Sequence, residues 1–223
     1  MTPLALAGSA IAVAGATPSE RRMVLRVRDP RSVAEIDDRD GALIRDEEDL
    51  LAARARRFKT AVFLEGVSLP DDADGFEVTV RLGERFDHLG DGDIVGLDPG
   101  SLRLRVLYRR ASKHNSFLVT ERCNHYCLMC SQPPRNVKDG WIIDEIASCI
   151  DLLDPATASV GFTGGEPLLE WRCFNRPACS LSRPATGDCR SRIDEWSGVR
   201  GRGGNRSLGR ARIPTAYGWD SAV

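Results

Sequence analysis

The sequence predicts an α/β chain in three parts: a small β-rich α+β domain over residues 1–111, a βαβ unit over 112–169, and an Arg/Gly-rich, disordered tail over 170–223. Three observations carry this. Short apolar or alternating runs bounded by Pro, Gly and Asp fill the first part. From 115 to 167 a strand, a cysteine-rich loop, a helix, a second strand and a glycine loop follow one another, the order of a parallel unit. Beyond Leu169 core-forming residues fall away, because residues 171–223 hold 7 Leu, Ile, Val, Phe or Met against 17 Arg or Gly.

Within the first part, residues 1–17 are rich in Ala and Leu, and Ala14-Gly15-Ala16 loosely resembles a secretory cleavage site. No Lys or Arg precedes the run, and Pro3 and Gly8 interrupt it, so a first strand is the alternative. Met23 to Arg28 alternates apolar and basic residues, Ala61 to Leu64 is apolar, and Phe76 to Leu82 alternates again; each reads as a strand of a half-buried sheet. Asp46 to Arg57 places acids first and bases last, as a helix dipole prefers. Asp93 to Leu97 and Leu102 to Tyr108 flank Asp98-Pro99-Gly100-Ser101, a turn signal that predicts a β-hairpin. His88 and His114 lack partners at ligand spacing and read as surface or capping groups.

In the second part Phe117 to Thr120 is a compact apolar run suited to a buried parallel strand, and it leads directly into the cysteines. Asp144 is placed to cap a helix whose Ile146, Ala147, Ile150 and Leu153 recur at helical spacing. Asp154-Pro155 ends it, and Ser159 to Thr163 reads as the next strand. The chemistry thus falls at strand ends.

Composition sets outer limits. With 223 residues, 42% hydrophobic content and a net charge of −1, the chain can bury a core and is neither collagen-like nor strongly acidic, and nothing in its average charge calls for a nucleic-acid or membrane partner. Seven cysteines, three of them crowded between Cys123 and Cys130, suit thiolates held for a metal in a reducing compartment better than a disulfide framework, which predicts a cytoplasmic protein.

Cys123-Asn124-His125-Tyr126-Cys127-Leu128-Met129-Cys130 has the spacing CxxxCxxC. Three thiolates within eight residues can converge on one metal cluster, whereas closed structural zinc needs a fourth ligand from elsewhere. An open coordination position is what a reactive metal site requires. Gly164-Gly165-Glu166-Pro167 follows at the end of the next strand, where glycines let backbone groups approach closely and Pro fixes the exit.

This combination resembles the radical S-adenosylmethionine superfamily. The resemblance implies that residues 112–169 are the first two βα units of an incomplete (β/α) barrel. It implies that Cys123, Cys127 and Cys130 ligate a [4Fe-4S] cluster and that Gly164, Gly165, Glu166 and Pro167 contact S-adenosylmethionine. Met129 stands where the family often places an aromatic residue against the adenine, a space Met can fill, so it joins the cofactor-binding set. The implied reaction is reductive cleavage of S-adenosylmethionine to methionine and a 5′-deoxyadenosyl radical, which abstracts hydrogen from a substrate. The stretch from Asn115 to Pro134, with Asp91 to Arg110 before it, resembles more closely the radical maturases of the His-Xaa-Ser repeat peptide system. That subgroup implies a ribosomally made precursor peptide as substrate, an external electron donor and a partner maturase. The alternative function is a zinc-binding or Arg-rich RNA- or peptide-interaction module without catalysis. In both readings His125 is a solvent-facing loop residue and Cys149 a small packed hydrophobe.

The tail has two readings. The ten Arg, no Lys and four acids of residues 171–223, against 21 basic and 28 acidic residues up to Glu170, suit an interaction segment for RNA or acidic surfaces. The same composition arises when a GC-rich gene is read out of frame, and this is the reading adopted; Cys173, Cys179 and Cys189 are then incidental. With two βα units in place of a whole barrel, the expectation for this polypeptide alone is weak cofactor binding and slow turnover.

Overall fold

A computed structural model of the chain describes residues 7–15, 22–67, 75–125, 127, 128, 130, 133–157, 159–166 and 169. Among these the fold is α/β and strand-rich, with nine strands and two α-helices. The expectations for the tail lie outside the described residues, as do those for Met129 and Pro167.

The first seven strands close into a barrel. They are β1 (Ala7–Gly15), β2 (Met23–Arg28), β3 (Asp40–Ile44), β4 (Thr60–Phe63), β5 (Val78–Leu82), β6 (Ile94–Asp98) and β7 (Arg103–Tyr108), in the order β1-β5-β4-β3-β2-β6-β7. Strands β2 to β5 pair in parallel, while β1 pairs antiparallel with both β5 and β7 and so closes the ring. The expected hairpin is β6 and β7, paired antiparallel. The apolar segment at the start of the chain forms β1.

Alternation sorts the side chains. Leu25, Val27, Leu43, Val62, Val80, Val95, Leu97 and Leu104 fill the interior with Phe86 and Leu89. The opposite face of β3 and β4 presents Ala42, Ile44, Ala61 and Phe63, and α1 (Glu47–Ala55) covers it with Leu50 and Ala53. The Asp46 carboxylate caps α1 by accepting the Asp49 amide at 2.9 Å. Asp49 itself is buried and meets Arg31 at 2.7 Å and Arg45 at 3.0 Å. Strands β3 and β4 are thus buried on both faces, a difference from the half-buried sheet that alternation elsewhere predicts. His88 also differs: its side chain is only 9% exposed, packed beside Phe86.

After the barrel, β8 (Asn115–Thr120), α2 (Trp141–Ile150) and β9 (Val160–Gly164) form a parallel βαβ unit. Helix α2 starts three residues before the expected cap at Asp144. Gly140 occupies the capping position and Ile142 donates its amide to the Asp139 carbonyl at 2.9 Å. The earlier start brings Ile142 and Ile143 onto the buried face with Ile146, Cys149 and Ile150. That face packs against Phe117 and Val119 of β8 and against Val24, Ile94 and Tyr108 of the barrel wall. Among the described residues no helix is long and apolar enough to cross a membrane.

Arg26 and Asp40, opposite one another across β2 and β3, form a two-pronged ion pair at 2.7 and 3.0 Å, with the Asp40 side chain fully buried. Removing the carboxylate by Asp40→Ala strands a partly desolvated guanidinium and is expected to cost about 2 kcal/mol. Urea denaturation checks this, and an unchanged midpoint would show that the pair contributes nothing net.

Candidate functional site

Strand β8 ends at Thr120, and the next residues turn out of the sheet into the cysteine loop. Cys123 is half-buried at the base of the loop, while Cys127 and Cys130 are exposed further along it. The His125 amide donates to Cys123 Sγ at 3.3 Å, and the Cys130 amide donates to the Cys127 carbonyl at 3.0 Å, which turns the second half of the loop back on itself. On the far side, Arg135 returns to Glu121, its amide on the Glu121 carbonyl at 3.1 Å and its guanidinium on the carboxylate at 2.7 Å. The loop is therefore pinned at both ends.

The glycine loop docks on the same base. Gly165 donates its amide to the Thr120 carbonyl at 2.8 Å, and Glu166 donates to the Arg122 carbonyl at 2.9 Å. This approach requires glycine. A Cβ on Gly165 would lie 1.9 Å from the Arg122 oxygen, and one on Gly164, at φ +127°, would lie 2.3 Å from the Thr120 oxygen. Gly164, Gly165 and Glu166 thus meet the chain leading into Cys123, and Glu166 Oε2 comes within 3.9 Å of His125 Nε2 across the two loops. His125 is exposed, as its loop position suggests.

A residue not anticipated from the sequence holds the base. The Asp139 carboxylate accepts from Thr120 Oγ1 at 2.8 Å, the Glu121 amide at 2.7 Å and Arg122 Nε at 2.8 Å. Burial alone would raise this carboxyl, but those three donors outweigh it and hold it below the usual carboxylate range. An Asp just before the Gly140 that opens an apolar helix was the available signal. Cys149, buried in the α2 seam, has its thiol pushed up by burial and packs as an apolar group.

No family model matches the chain, and neither a curated protein nor a solved structure matches it.

Among the described residues, the three cysteines included, no three His, Cys, Asp or Glu side chains stand together as a preformed metal site. The donor set nevertheless fits an iron-sulfur cluster, because three thiols share one loop, two of them face solvent and an N–H already points at the third sulfur. Metal binding and loop ordering are commonly one event. The glycines let the Thr120 and Arg122 carbonyls approach where no Cβ fits, and this brings the glycine loop against the base of the cysteine loop.

Replacing Gly165 with Ala forces the Arg122 carbonyl and the glycine loop apart. The variant is expected to be less stable by about 1–3 kcal/mol, with faster amide exchange at Glu166. Wild-type exchange at Glu166 would refute the close docking.

Proposed function

We propose that this protein belongs to the radical S-adenosylmethionine enzymes and serves as a maturase of a ribosomally made precursor peptide with His-Xaa-Ser repeats. In this reading β8, α2 and β9 are the opening βα units of the (β/α) barrel. Cys123, Cys127 and Cys130 hold a [4Fe-4S] cluster, and Gly164 to Pro167, with Met129, take S-adenosylmethionine. The observation that carries the reading is the docking of the glycine loop on the base of the cysteine loop through the Gly165 and Glu166 amides. Two motifs some forty residues apart in the sequence are thereby made neighbours, as a shared metal and cofactor site requires.

When bound, the cluster supplies the electron that cleaves S-adenosylmethionine reductively, and an external donor replenishes it. The chain's own residues bind and orient. The three thiols, deprotonated, are the metal donors, and the His125 amide supports the Cys123 sulfur. Gly164 and Gly165 let their loop pack directly on the Thr120 and Arg122 carbonyls, which holds it beside the cysteine loop where the cofactor would bind. Glu166 offers a carboxylate for a cationic group such as the methionyl amine. A reducing cytoplasm is the compartment this chemistry calls for.

Anaerobic reconstitution with iron and sulfide tests the assignment. The expected product holds iron and acid-labile sulfide in near-equal amounts, and simultaneous replacement of Cys123, Cys127 and Cys130 with Ala abolishes both. Stoichiometric zinc without iron, or iron retained by the triple variant, would overturn it in favour of the non-catalytic module.

A further inference from the structure

Asp139 is 4% exposed, and its carboxylate is the common partner of three consecutive residues, Thr120, Glu121 and Arg122. These same residues lead into Cys123 on one side and, through the Thr120 and Arg122 carbonyls, receive the Gly165 and Glu166 amides on the other. The backbone of Asp139 opens α2 by accepting the Ile142 amide. Helix start, cysteine loop and glycine loop therefore meet at one buried side chain.

The chemistry demands a carboxylate. Oδ2 takes the Thr120 hydroxyl and the Glu121 amide, while Oδ1 takes the Arg122 guanidinium. An amide in this place has one acceptor oxygen, and its NH2 group must face either the guanidinium or the hydroxyl and amide pair, donor against donor. With the Thr120 hydroxyl also accepting the Arg122 amide at 3.1 Å, the turn before Cys123 has no slack.

We propose that Asp139 is the positioning residue of this site: acting through Thr120, Glu121 and Arg122, it sets the spacing between cysteine loop and glycine loop and thereby the affinity for S-adenosylmethionine, touching neither metal nor cofactor. The affinity half rests on the cofactor assignment made above; the spacing half does not.

The test uses the full-length chain and the variants Asp139→Asn and Thr120→Val. The second removes one hydroxyl, which donates to Asp139 and accepts the Arg122 amide, and keeps the carboxylate and a β-branched strand residue, so it preserves the fold if the first does not. In the metal-free protein, amide exchange at Gly165 and Glu166 is expected to speed up about tenfold in Asp139→Asn, the scale of one lost hydrogen bond to a charged group. A smaller increase is expected in Thr120→Val, with barrel amides in β2 and β6 unchanged. In reconstituted protein of equal iron content, the dissociation constant for S-adenosylmethionine rises in the same order. Unchanged exchange at Gly165 and Glu166 overturns the proposal, and so does faster exchange with wild-type affinity, which would mark Asp139 as merely structural. A wild-type chain that takes up no iron overturns the cofactor assignment and the affinity half with it, and leaves the spacing half to be decided by the exchange data.

Discussion

Everything downstream of the barrel depends on how α2 is seated. A two-stranded parallel sheet has little stability of its own and needs its crossover helix as a cover. Here that helix is gripped from both sides, by Phe117 and Val119 of β8 and by Val24, Ile94 and Tyr108 of the barrel wall. Each fully buried aliphatic side chain in such a seam contributes about 1.5–3 kcal/mol, so the barrel acts as the platform on which the βαβ unit is held. The polar contacts across the seam are equally specific. Glu145 is buried in the middle of α2 and pairs with Arg105 of β7, and it fits only because β6 carries Gly96, where a Cβ would lie 2.4 Å from its carboxylate oxygen. Trp141 at the start of the helix lies beneath both Arg22, at 3.4 Å, and Arg105, at 4.5 Å.

This seating passes directly to the site. Trp141 and Asp139 are two residues apart, so fixing the first turn of α2 against the barrel also fixes where Asp139 presents its carboxylate. From there the hydrogen bonds run to Thr120, Glu121 and Arg122, and on through main-chain carbonyls to the glycine loop. No step in this chain relies on a long exposed side chain. Apart from the arginines, which are about a quarter exposed, each link is a buried group, a backbone hydrogen bond or a steric fit, the interactions that lose least to solvent screening.

The elements that the sequence made legible are those whose signal is local. The hairpin of β6 and β7, helix α1, and strands β2, β4, β5, β8 and β9 each announce themselves within a dozen residues through alternation, turn residues or charge order. Strand β3 was not legible. Asp40-Gly41-Ala42-Leu43-Ile44 shows no alternation, because it lies buried on both faces between β2 and β4, with α1 over one side. Barrel closure was hidden for another reason: it rests on β1 pairing with β5 and β7, segments some seventy to a hundred residues away, and no local pattern reports such a pairing.

The candidate site divides in the same way. The cysteines and glycines stand out because their chemistry constrains spacing along the chain, and the structure gives the glycines a steric reason at Gly164 and Gly165 that the sequence could only suggest. Asp139 stayed hidden because its partners lie 17 to 19 positions earlier and its own neighbourhood reads as an ordinary polar loop before a helix. Burying a carboxylate is costly unless it is fully satisfied. A chain that places one here, with three donors from the residues before Cys123 and its own carbonyl at the start of α2, has gained in return a loop base that cannot shift without breaking several bonds together. The same base carries Cys123, half-buried, while Cys127 and Cys130 stand exposed further along the loop.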